Sequence, residues 1–143
     1  MISWLQGEKI DDWKASNKKG ILISCGGIGY EIQLISRDLS KTNNSKNITL
    51  WVHHIFREDG NTLFGFQEKE ERNLFRKIIE INGIGPQIAI SLLEQYRCKD
   101  LLYAIKNADI KKLTKAPGVG KRIAERLSVE LKGKLNEFNE VLD

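Results

Sequence analysis

Hydrophobic and polar residues alternate with a period of two through the first part of the chain. Ile21-Leu22-Ile23 is a short apolar run that ends at a turn signal, Gly26-Gly27. Tyr30, Ile32 and Leu34 then alternate with Glu31 and Gln33, and Ile48, Leu50 and Val52 repeat the pattern. Such alternation predicts strands with one buried face. Residues 38–47, rich in Ser, Asn and Lys, predict a surface loop. Asp59-Gly60-Asn61 predicts a turn, and Thr62 to Phe66 a last strand. Regularly spaced short strands of this kind predict a small β-barrel.

From about residue 67 the period becomes helical. Leu74, Phe75, Ile78 and Ile81 recur at helical spacing, with Glu68, Glu70 and Glu71 in the first turn, where the helix dipole favours them. Further helices are predicted at about 86–96, 99–107, 110–116 and 120–135, with Ser, Gly, Pro and Asp at the breaks. The predicted fold class is α+β by segregated domains. A five-stranded barrel spans residues 1–66 and an all-α domain spans 67–143.

The helical part repeats itself at an offset of 35 residues. Gly83-Ile84-Gly85 matches Gly118-Val119-Gly120; Ile88, Ala89 and Leu92 match Ile123, Ala124 and Leu127; upstream, Ile78 matches Leu113. Each copy is an apolar helix, a Gly-aliphatic-Gly hairpin and a second apolar helix. Glycine permits a sharp turn with positive φ and lets a phosphate approach the backbone. The aliphatic residue between the glycines can anchor the hairpin to the core. The next helix starts at once, at Pro86 in one copy and Lys121 in the other, so its N–H groups and dipole form an anion site. Proline suits that first turn because no donor is needed there. These pieces look like two helix-hairpin-helix motifs, which bind DNA backbones without reading bases. The expected phosphate-binding residues are Gly83, Gly85, Pro86 and Gln87 in the first copy. In the second they are Gly118, Gly120, Lys121, Arg122 and Arg126.

Charge sharpens that expectation. The net charge is +4, and residues 111–134 hold 8 basic side chains against 2 acidic ones. A basic run is usually a solvated helix face; here it surrounds the second hairpin. The first hairpin carries Gln87, which can hydrogen-bond a phosphate but contributes no charge.

Other chemistry is scarce. Cys25 and Cys98 are far apart, without zinc spacing, which points to a reduced, cytoplasmic protein. No signal peptide or membrane-spanning run is recognisable. His53 and His54 are neighbours in a predicted strand, so they face opposite ways and do not suggest a shared metal. Trp4, Trp13 and Trp51 suit packing in a core or subunit interface better than stacking on bases. No nucleophilic triad, phosphate-binding Walker loop or metal cluster is present, so no catalysis, metal or cofactor is expected.

Taken in order, the motifs resemble the RuvA family of Holliday-junction-binding subunits. The marks are the Met1-Ile2 opening with Leu5, Gly7 and Glu8; Gly26-Gly27-Ile28-Gly29-Tyr30-Glu31-Ile32; Arg57-Glu58-Asp59; and Leu63-Phe64-Gly65-Phe66. Glu70-Glu71-Arg72, Asn82-Gly83-Ile84-Gly85-Pro86, Pro117-Gly118-Val119-Gly120-Lys121 and Ala124-Glu125-Arg126-Leu127 continue them. The resemblance implies an oligonucleotide-binding (OB) fold for the barrel. It also implies a homotetramer, alone or as an octamer, that holds a four-way DNA junction open and nearly square. It makes Glu58 and Asp59, otherwise a solvated turn, an acidic pin near the crossover that repels phosphates. Further implied partners are the RuvB ATPase and the RuvC resolvase. RuvB docking belongs to a third small helical domain of the family, and this sequence stops at Asp143, soon after the last predicted helix.

Two readings compete. Helix-hairpin-helix motifs also occur in repair enzymes, although such an enzyme needs a dedicated catalytic domain. A barrel alone is also compatible with a general single-strand-binding protein.

Overall fold

A computed structural model describes residues 1–142. The chain forms two compact units that divide between Arg72 and Asn73.

The first unit is a closed barrel of β1 (Trp4–Ala15), β2 (Lys18–Cys25), β3 (Ile28–Gln33), β4 (Asn47–Arg57) and β5 (Gly60–Phe66). The strand order is β1-β2-β3-β5-β4, closed by pairing of β1 with β4. All pairs are antiparallel except β3 with β5, where Ile32 lies opposite Leu63. Closure leaves no long free edge, as in an OB-fold. The predicted alternation is the inward face: Ile21, Ile23, Ile32, Leu34, Leu50 and Val52 are buried.

Two sequence expectations fail here, and one stretch that carried no signal is structured. The predicted loop at 38–47 begins instead within α1 (Ser36–Lys41), where Asp38 is fully buried, as is Thr42 just beyond. Asp11 to Lys19, a stretch without apolar alternation, is mostly paired strand, with Trp13 opposite Gly20 and Ala15 opposite Lys18. The turn before the last strand is Glu58-Asp59, since Arg57 already pairs with Gly60.

Helix α2 (Lys69–Ile79) starts in this unit. The carboxylate of Glu71 accepts the Glu68 N–H at 3.1 Å, a capping contact across the first turn. Lys69 and Arg72 lie over the Trp51 ring at 5.6 and 5.0 Å, and Arg72 donates to the Ser3 carbonyl at 2.8 Å. Trp51 is thus a cation–π platform for the helix start.

The second unit continues with α3 (Pro86–Gln95), α4 (Cys98–Lys106), the single turn α5 (Ile110–Leu113) and α6 (Lys121–Lys132). A 3-10 turn, Leu135–Phe138, and α7 (Asn139–Leu142) follow. The helix expected at 110–116 is shorter than predicted because Asp109 caps it and Thr114 ends it. That expected at 120–135 stops at Gly133. The matched apolar positions Ile78 and Leu113, Ala89 and Ala124, and Leu92 and Leu127 are all fully buried.

Candidate nucleic-acid interface

The two glycine hairpins share one backbone. Gly83 has φ +89° and Gly118 has φ +82°, left-handed values that explain glycine at both. Gly85 and Gly120 are extended N-caps, with φ/ψ of −90°/176° and −86°/176°. The hydrogen bonds match as well. Ile84 N–H donates to the Ile81 carbonyl at 3.1 Å, and Val119 N–H to Ala116 at 3.0 Å. Ala89 N–H donates to Gly85 at 3.2 Å, and Ala124 N–H to Gly120 at 3.0 Å. Ile84 and Val119 are buried, anchoring each loop as expected.

The N-cap glycines are not required by the fold. Their torsions suit any residue, and a Cβ at Gly85 or Gly120 would meet no heavy atom within 4 Å. Ser, Thr, Asp or Asn at such a position would cap the helix with an oxygen, whereas glycine is tolerated there but supplies none. Neither helix start has a side-chain cap. A bare N-cap leaves the first-turn N–H groups and positive dipole end accessible to an incoming anion.

The hairpins are also physically linked within this unit. Ser91, in the middle of α3, donates its hydroxyl to the Pro117 carbonyl at 2.6 Å. A Cβ on Gly118 would sit 3.2 Å from Ile88 Cδ1. The helix that follows the first hairpin therefore carries the second.

Charge around them is uneven. Gln87 is exposed beside Pro86. Beyond Gly120, Lys121, Arg122 and Arg126 are all exposed. Lys121 reaches Glu125 only at 3.9 Å, an exposed contact of little strength. Arg122 and Arg126 lie four residues apart, hence side by side on α6.

Glu58 and Asp59, in the first unit, form the exposed tip of the β4–β5 hairpin. His54 is buried with Nδ1 accepting the Ile2 N–H at 3.2 Å, while His53 on the opposite face is half-buried. Trp13 donates to the Ile21 carbonyl and Trp4 is substantially exposed. Among the described residues no group of acidic, His and Cys side chains has metal-binding geometry, and no helix is long and apolar enough to cross a membrane.

Residues 1–65 match the RuvA N terminal domain, and residues 75–133 match a SAM-like helix-hairpin-helix tandem. Over the stretch it spans, the chain belongs to the RuvA family. It is 55% identical over 138 residues to the Holliday junction branch migration complex subunit RuvA of Prochlorococcus marinus strain SARG. That alignment takes in 96% of this chain and 62% of the relative. The RuvA subunit of Synechococcus sp. strain WH7803 is 50% identical over 96% of this chain and 64% of its own length. The chain thus spans somewhat less than two thirds of the curated RuvA proteins it matches.

Sequence reasoning overlooked two features of these units. One is the buried pair Asp38 and Glu71, in the first unit. The other is a lysine-lined groove between the end of α3 and α5.

Proposed function

We propose that this chain binds four-way DNA junctions by their phosphate backbones, as a non-catalytic subunit of a branch-migration machine. The observation that carries the reading is the pair of matching hairpins with bare glycine N-caps. Side chains are missing where a cap would add stability, and an approaching phosphate supplies the reason. Main-chain donors and Lys121, Arg122 and Arg126 position DNA but do not read bases. Recognition is therefore by shape.

Junction selectivity comes from assembly in this reading. Residues 1–66 form the oligomerising barrel and 67–143 the DNA-gripping domain. Each homotetramer, alone or as one half of a face-to-face octamer, spreads eight hairpins over four arms. The Glu58-Asp59 tips then gather near the crossover, where eight carboxylates repel phosphates and keep the junction open and square. RuvB is the ATPase this complex serves and RuvC the resolvase that acts on the same junction. The chain works in the cytoplasm, in recombination and DNA repair.

The test is solution mass with and without a synthetic four-way junction, followed by a competition gel shift against single-stranded DNA. The expected result is a tetramer or octamer that prefers the junction. A monomer that ignores the junction overturns the proposal. Preference for single strands favours a general single-strand-binding barrel instead, and cleavage of DNA by the purified chain favours a repair enzyme.

A further inference from the structure

Beyond the hairpins, the second unit has an open groove lined by Gln95, Tyr96, Asp109, Lys111, Lys112 and Lys115. The groove lies where α3 ends and α5 begins. Its positive charge is poorly compensated. None of its three lysines is in an ion pair among the described residues. Its single carboxylate, Asp109, turns Oδ1 to the Lys112 N–H at 3.1 Å as the α5 cap. Three ammonium groups gathered on so short a segment repel one another, and a bound anion would relieve that repulsion.

The groove is also ordered in advance. The Tyr96 hydroxyl donates to the Lys112 carbonyl at 2.5 Å, which fixes the ring against α5. The Lys112 ammonium then rests 5.4 Å from the centre of that same ring. Burial and the nearby Asp109 charge both raise the Tyr96 pKa, so its hydroxyl stays a donor. One cation is thereby held at the groove wall, while Lys111 and Lys115 remain exposed on the rim.

Position indicates what fills it. Lys115 precedes Gly118 of the second hairpin by three residues, a reach of at most ~10 Å. Pro86, at the first hairpin, lies one length of α3 away, about 15 Å for its ten residues. Duplex DNA carries a phosphate every ~3.4 Å of axis on each strand. A strand gripped at the second hairpin therefore has further phosphates within reach of Lys115 and Lys112.

We propose that the α3–α5 groove is an additional phosphate seat, which takes the DNA backbone next along the strand held by the second hairpin. This rests on the reading of the hairpins as DNA grips. The seat adds electrostatic affinity and leaves the choice of DNA structure to the assembly.

The experiment compares the full chain with the Lys111→Gln, Lys112→Gln, Lys115→Gln triple variant on a synthetic four-way junction across a salt series. A Lys14→Gln, Lys18→Gln, Lys19→Gln variant, altered on the β1–β2 arm, removes the same three charges and controls for net charge. A Lys121→Gln, Arg126→Gln variant reports on the hairpin. Loss of one phosphate contact lowers the log–log salt slope by about 0.9, which is roughly ten-fold in affinity at about 50 mM salt and almost nothing near 1 M. The triple variant is expected to show at least that loss. Tyr96→Leu, which frees the Lys112 ammonium without changing charge, is expected to weaken binding in the same direction. A triple variant with the slope of the unaltered chain, or with no more loss than the arm control, overturns the groove while a sensitive hairpin variant keeps the DNA reading. If the unaltered chain binds no junction at all, both fall together.

Discussion

Ser91 and Pro117 join the two hairpin motifs through one hydrogen bond, the serine hydroxyl donating to the proline carbonyl at 2.6 Å. Nothing else in the repeat requires a hydroxyl at position 91, whose counterpart at the 35-residue offset is Arg126. The bond fixes where the second hairpin stands on α3. Ser91→Ala should cost about 1 kcal/mol of stability, the usual net value of such a bond. It should also lower junction affinity without changing the salt slope, because no charge is lost. Thermal unfolding and a salt titration separate the two effects.

The N-cap glycines give a test in which stability and binding move oppositely. Gly85→Ser or Gly120→Ser supplies the missing cap without strain, since both positions are extended and open. Stability should rise by a few tenths of a kcal/mol. DNA binding should weaken, because the serine oxygen takes the N–H groups a phosphate would use. A serine variant that binds as tightly as the parent removes these N–H groups from the DNA contact.

Lys121→Ala and Arg126→Ala should each weaken junction binding and reduce the log–log salt slope by about 0.9 per lost phosphate contact. Gln87→Ala, at the corresponding place in the first motif, should leave the slope unchanged. An equal drop at both hairpins would contradict the asymmetry in their charge.

Glu58→Lys combined with Asp59→Lys should keep or tighten junction binding, since it exchanges repulsion for attraction at the hairpin tip. In a complete system with the RuvB motor it should disturb branch migration. Normal migration by that variant would show that the acidic tip is only a turn.

A pH dependence follows from the buried carboxyl pair in the first unit. Glu71 is pushed up from 4.5 to about 7, mainly by burial, then by the charge of Asp38 and a hydrogen bond to it. The Glu68 N–H and Arg37, at 3.2 Å, oppose the rise less strongly. Asp38 Oδ2 accepts the Gln67 N–H at 3.2 Å, whereas Oδ1 is buried with no hydrogen-bond partner. The folded state therefore holds a proton that the unfolded chain has released. The stabilisation is complete below pH 4.5 and is lost as pH rises to about 7, by at most about 3 kcal/mol. Glu71→Gln should flatten this slope in urea unfolding between pH 5 and pH 8. An unchanged slope would show that Glu71 does not hold a proton in the folded state near neutral pH.

The elements that sequence made legible are those governed by local rules. Inward strand residues such as Ile21, Ile32 and Leu50 follow the period of two because one face of the barrel is dry. Gly83 and Gly118 are legible because their torsions admit little else. The far half of β1 gave no signal because Asp11, Asp12, Lys14 and Ala15 are exposed, so no alternation marks them. Helix α1 was hidden because its first buried side chain is Asp38, held by a backbone N–H instead of by apolar packing. The α3–α5 groove joins Tyr96 to Lys112 across sixteen residues, and no linear pattern encodes that meeting.

The matched torsions of the two hairpins separate shape from strength. Main chain and the buried Ile84 and Val119 hold each loop in place, while positions 87, 121, 122 and 126 stand outside the packing. Charge at these positions can therefore change one residue at a time without disturbing the packing that shapes each loop. A helix-hairpin-helix pair built this way is a mounting with exchangeable contacts, and its two halves are free to drift apart in affinity while remaining alike in form.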